Sequence, residues 1–168
     1  MVDLGEIQAA YYMVAATGVI VAAIFYILNM RATYQTRQAQ LFMPIYSKIT
    51  EKDFMKDGWE ILDEWEWTNL DDFEKKYLAD RDNRGKFWAF SDYWEGVGVL
   101  VKRKLIDPKL VDDMMSSGIM MFWEKMSPVI MELRVRHHMP QLNEHAEYLY
   151  HEVKPIAERQ NPGLKPSP

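Results

Sequence analysis

The chain has 168 residues, a formal net charge of −5 and no cysteine. That acidity argues against a nucleic-acid partner, which would call for a basic stripe. The missing cysteine excludes disulfides and thiol chemistry and agrees with a reducing compartment.

The run from Ala9 to Leu28, AAYYMVAATGVIVAAIFYIL, carries no charge. At about 1.5 Å per residue its 20 residues make roughly 30 Å of helix, the hydrocarbon thickness of a bilayer. Asp3 and Glu6 precede it where a signal peptide would be basic, and Asn29-Met30-Arg31 offers no small-residue cleavage site. An uncleaved anchor over residues 1–30 is therefore expected, with a buried core helix as the alternative. Arg31 and Arg37 follow the span, which places the N-terminus outside and the rest in the cytoplasm, at the plasma membrane. Tyr11, Tyr12 and Tyr26 suit the interfacial belts. Ala15, Gly18 and Ala22 form a small-residue face for a second helix, unless they reflect only how common Ala and Gly are in membrane helices.

Residues 31–154 read as one cytoplasmic helical domain, followed by a flexible Pro-rich tail over 155–168. Leu41, Phe42, Ile45, Tyr46 and Ile49 continue the anchor helix beyond the membrane, with Pro44 bending or interrupting it. A second helix starts after Thr50 as N-cap and carries Phe54, Trp59, Ile61, Leu62 and Trp65. Thr68 or Asn69 caps a short segment with Leu70, Phe73, Tyr77 and Leu78.

From Lys86, residues Phe87, Phe90, Trp94, Val97 and Val101 step by three and four, and Lys102, Arg103 and Lys104 complement the helix dipole. Asp107-Pro108 opens the next helix. Its stripe of Ile119, Phe122, Trp123, Met126, Val129, Ile130 and Leu133 is expected to kink at Pro128. A last helix after Pro140 carries Leu142, Ala146, Leu149 and Val153. The expected fold is all-α, one transmembrane helix followed by a bundle of five or six helices.

Within roughly residues 85–150, Trp94-Glu95-Gly96-x-Gly98 leads into a hydrophobic-basic segment and Ile106-Asp107-Pro108, then Trp123-Glu124 and a helix end with Arg134 and Arg136. This pattern resembles an uncharacterised prokaryotic family of single-span membrane proteins with a C-terminal helical domain of unknown function. The resemblance implies the anchor-plus-helices layout and structural roles for these residues, but no activity. The stretch Trp59–Leu70 lies outside the pattern.

Residues 51–82 hold 12 acidic and 5 basic side chains, together with Trp59, Trp65 and Trp67. They form either a docking face for a basic partner, with Glu60 and Glu64 beside the tryptophans, or a solvated face whose tryptophans turn into the core. The second reading is favoured. Lys102–Lys104 either touches anionic headgroups or simply ends a helix.

Glu144, Glu147 and His151 share a helix face near His137, His138 and His145, but paired Glu-x-x-His motifs are missing and no metal site is expected. Gly96 and Gly98 suit close helix packing, and Glu95 is expected to pair with Arg134 or Arg136 rather than act as a buried acid. Met114, Met115, Met120, Met121, Met126 and Met131 are core filler or an adaptable groove, with core favoured.

No nucleophile elbow or phosphate-binding loop is present. The leading expectation is a non-enzymatic, cofactor-free, membrane-anchored interaction protein: an accessory subunit, tether or assembly factor that binds a protein partner, or a homo-oligomer. The alternatives are a sensor holding a lipid or small hydrophobic ligand and, third, a metal-dependent enzyme.

Overall fold

The computed structural model describes residues 3–160, in two compact units that divide at Gln40 and Leu41. All regular structure among the described residues is helical. The first helix, α1, runs Leu4–Ile49 and crosses the boundary.

The first unit is a single stretch of α1. It contains the uncharged run, and none of its most apolar 18-residue window, with mean hydropathy 2.1, is buried. It is long and apolar enough to cross a membrane.

The second unit is a bundle made from the end of α1 and from α2 (Lys52–Trp59), α3 (Leu70–Phe73), α4 (Arg81–Lys102), α5 (Pro108–Arg136) and α6 (Glu144–Gln160). Two π-helical turns, Glu60–Glu64 and Glu74–Leu78, extend α2 and α3. Helix α6 lies closest to both α4 and α5, and Ala146, Leu149 and Val153 are fully buried there. Trp94, Phe122, Ile119, Met126 and Ile130 complete the centre of the core. At the α4–α6 crossing a Cβ on Gly98 would stand 2.0 Å from the His145 carbonyl oxygen, so only glycine allows this approach. Gly96 has open space instead and takes no part in the crossing.

Several helix ends and breaks differ from expectation. Thr50 does not cap α2: its hydroxyl donates back to the Tyr46 and Ser47 carbonyls and closes α1, leaving Glu51 before α2 without a side-chain cap. The second helix ends at Trp59 and widens into the π turn, so Trp65 lies beyond it. Asn69 caps α3 by accepting from Asp72 N–H, and Asp107 caps α5 by accepting from Lys109 N–H.

Pro44 does not interrupt α1, and the break in α5 falls at Met115 (φ −155°, ψ 21°) rather than at Pro128. Proline removes the bond to residue i−4 and crowds that residue's carbonyl. Gln40, Glu124 and His151, four residues before Pro44, Pro128 and Pro155, are exposed, so water reaches the sides of the helices where those bonds are missing. Residues 155–160, placed at the start of the tail, are the last turns of α6; 161–168 lie outside the described residues.

Candidate functional site

Three local constructions stand out in the second unit, and they hold many of the residues singled out above; Gly18 and Ala22 lie on the exposed first unit instead. The first is the acidic aromatic segment. Trp65, just after the first π turn, stacks on Tyr77 of the second, with ring centres 4.0 Å apart and planes 6° from parallel. The Tyr77 hydroxyl accepts from Glu66 N–H at 2.9 Å and donates to the Glu66 carbonyl at 3.2 Å, which fixes the loop between the turns. Trp67 packs edge-on against Phe73, and the Lys125 ammonium lies 5.7 Å from the Trp67 ring centre and donates to the Leu62 carbonyl. Burial pulls Lys125 below the ordinary lysine range.

Trp65 is therefore core and Trp67 half-buried, while Trp59 remains 48% exposed. Several carboxylates here are also engaged. Glu60 takes the Lys86 ammonium on both oxygens at 2.9 Å, and Asp71 and Glu74 share Arg136. Asp63, Glu64 and Glu66 stay exposed and close no salt bridge among the described residues, although Asp63 and Glu66 lie near enough to Lys125 to raise its affinity for a proton. The segment is thus mainly a structural knot with one free acidic edge.

The second construction is the N-terminus of α6. Glu95 does not pair with Arg134 or Arg136. Its Oε2 accepts from the backbone N–H groups of His145 and Ala146, both at 2.9 Å, and its Oε1 lies 2.6 Å from His145 Nδ1. A carboxylate at this position satisfies orphan amides and complements the positive helix end. Beside it Ser91 donates to Asn143 Oδ1, and Asn143 returns a bond to the Ser91 carbonyl.

Arg134 instead reaches Glu147 and the Leu142 carbonyl and lies over Trp123, while Arg136 reaches Asp71 and Glu74. The histidines scatter: His145 to Glu95, His137 to Glu74, His151 against Tyr150. Among the described residues no three potential metal ligands converge.

The third construction corresponds to the less favoured of the two expectations for the methionines, an adaptable groove. A groove of about 270 Å³ opens between the end of α1, α2 and the broken part of α5. Its floor includes Gly58, Phe90, Trp94 and Gly118, and its rim includes Met55, Trp59, Met114 and Met121. These four rim residues are 42%, 48%, 44% and 37% exposed. Large apolar side chains exposed together mark a binding surface more often than the same residues scattered. The methionine cluster therefore divides, with Met115 and Met126 in the core and Met114 and Met121 at the groove. Met114 and Met121, seven residues apart, share one face of α5, while Met115 and Met126 fall on the buried stripe of Ile119 and Phe122, so this division follows the helical period.

The comparisons with known proteins give one match. The family model described as "Domain of unknown function (DUF4760)" covers residues 12–153, including most of the apolar run and the whole Trp59–Leu70 stretch, which therefore belongs to the family pattern after all. No curated protein and no solved structure matches the chain.

Proposed function

The chain belongs to the DUF4760 family, and we propose that it is a single-pass, membrane-anchored helical protein serving a membrane-associated partner as accessory subunit, tether or assembly factor. The observation that carries this reading is the apolar window of α1, none of which is buried by the rest of the chain. Twenty uncharged residues left in water would be strongly unfavourable, and a bilayer removes that cost. The flanking Arg31 and Arg37 support an N-terminus outside and a bundle in the cytoplasm, at the plasma membrane.

A binding rather than enzymatic role is supported by the way the bundle uses its polar groups. Glu95, Arg134, Arg136, His137 and His145 all hold helices to one another. The free carboxylates of Asp63, Glu64 and Glu66 offer a basic partner a charged edge beside Trp59, and Gly18 and Ala22 offer a membrane helix a smooth face.

The test is photo-crosslinking in native membranes from position 64, with position 158 as control. A partner captured in stoichiometric amount from position 64 alone, and lost in Asp63→Lys/Glu64→Lys, is the expected result. A chain that leaves the membrane on washing, or that crosslinks equally from both positions, overturns the reading.

A further inference from the structure

We infer that this chain associates with a second copy of itself, the acidic edge beside Trp59 on one copy seating in an apolar depression flanked by Lys75 and Arg84 on the other. The inference rests on the reading above of that edge as a docking surface, and it names the occupant.

Trp59 ends α2 with 48% of its surface exposed, and Asp63 and Glu64 follow it by one turn through the π segment. Both carboxylates are exposed and close no salt bridge among the described residues. A large ring with two acids beside it is thus turned to solvent. Tryptophan is among the residues that most often anchor a protein interface.

The depression lies between the second π turn, the start of α4 and the end of α5, and holds about 540 Å³. Leu78, Trp88 and Met139 give it an apolar surface, and all three are only half-buried, so contact from outside reaches them. A cavity of about 150 Å³ accepts benzene, so this one has room for an indole. Two exposed cations flank it. Lys75 closes no salt bridge among the described residues, and Arg84 reaches the Leu78 carbonyl at a long 3.5 Å. The neighbouring carboxylates are already engaged: Glu74 with Arg136 and His137, Asp80 with the Asn83 N–H, and Asp82 with Lys86. Lys75 and Arg84 are left to attract an anion from outside.

The two surfaces are complementary in kind, a ring with two anions on one and an apolar floor with two cations on the other. Exposed ion pairs alone would bind weakly, but around an apolar contact they set its register and speed encounter. A second copy fits as occupant because every copy carries both halves. Since the contact joins two different surfaces, it is met reciprocally in a two-fold dimer or repeated from copy to copy.

The test uses the full chain in detergent and reads self-association by sedimentation, with thermal melting to confirm that each variant stays folded. The parent is expected to associate, and less so at high salt. Lys75→Glu/Arg84→Glu and Asp63→Lys/Glu64→Lys should each weaken association by roughly tenfold or more, because two attractions become repulsions. An equimolar mixture of the two double variants again sets acid against base and should recover the parent's association. Trp59→Ala should weaken it with the charges intact. A photo-crosslinker at position 64 should join a second copy between Lys75 and Arg84.

A monomeric parent, an association indifferent to both reversals (as contact through the anchor alone would give) or a mixture that fails to recover overturns the inference. If the parent is monomeric yet position 64 captures a different protein in native membranes, the accessory reading stands and self-association falls. Capture of nothing from position 64 in either setting removes both.

Discussion

Glu95 carries more of the second unit's architecture than its neighbours in sequence suggest. One carboxylate satisfies two amides at the start of α6 and holds the His145 ring. Glu95→Ala leaves both amides without that acceptor, and a loss of about 2 kcal/mol is expected, discounted for the partial exposure of the side chain. Glu95→Gln, which keeps one acceptor oxygen, should lose less. Thermal melting of the full chain in detergent, followed by near-ultraviolet circular dichroism, checks the order; equal loss in both variants would deny the cap its role. Gly98 is the stricter case. A methyl group there meets His145 backbone rather than a movable side chain, so Gly98→Ala should cost about 3 kcal/mol. Gly96→Ala, with nothing within 4 Å, should be neutral or slightly stabilising in the same melt.

At the scale of elements, the ends of α3 and α5 are tied together by charge. Glu74 meets His137 and Arg136, and these bonds, His137's first, hold its carboxyl below the ordinary value of 4.5. Its folded pKa is thus lower than its unfolded one. The stabilisation is present above the unfolded value and is lost as the pH falls through the folded one. Asp72 is lowered in the same sense, chiefly by Lys76. Asp92 and Asp112 are raised by burial and act oppositely, gaining stability in acid. The difference between the parent and Glu74→Gln isolates one contribution: the gap in melting temperature should be widest at neutral pH and should narrow as the pH falls below the ordinary value of 4.5 and through the lower folded one. A gap independent of pH would assign it to packing. The prolines belong to this scale as well. Helices α1, α5 and α6 each pass through a proline on an exposed face, whereas α5 breaks at Met115, a buried residue.

For the whole molecule, the decisive expectation concerns the apolar stretch of α1. Two charges at its centre, as in Val19→Arg/Val21→Arg, should each add about 2.5–3.5 kcal/mol to the cost of insertion. The parent chain is expected to stay with membranes through alkaline carbonate washing and the double variant to be released. Retention of both would remove the anchor from the account.

The sequence by itself determined the all-helical class, the exposed apolar segment and most of the core stripe. These depend on local periodicity and on length, which any continuous helix writes into consecutive residues. Asp107-Pro108 was legible for the same reason, since a cap and its helix are neighbours in the chain. Only the tertiary structure decided the rest. The partner of Glu95 lies about fifty residues away on α6, and two arginines closer to the expected place were claimed by Glu147, Asp71 and Glu74. The division of the tryptophans likewise followed from the π turn between Trp59 and Trp65, which shifts the side chains after it around the helix, so the face a residue presents ceases to follow from counting.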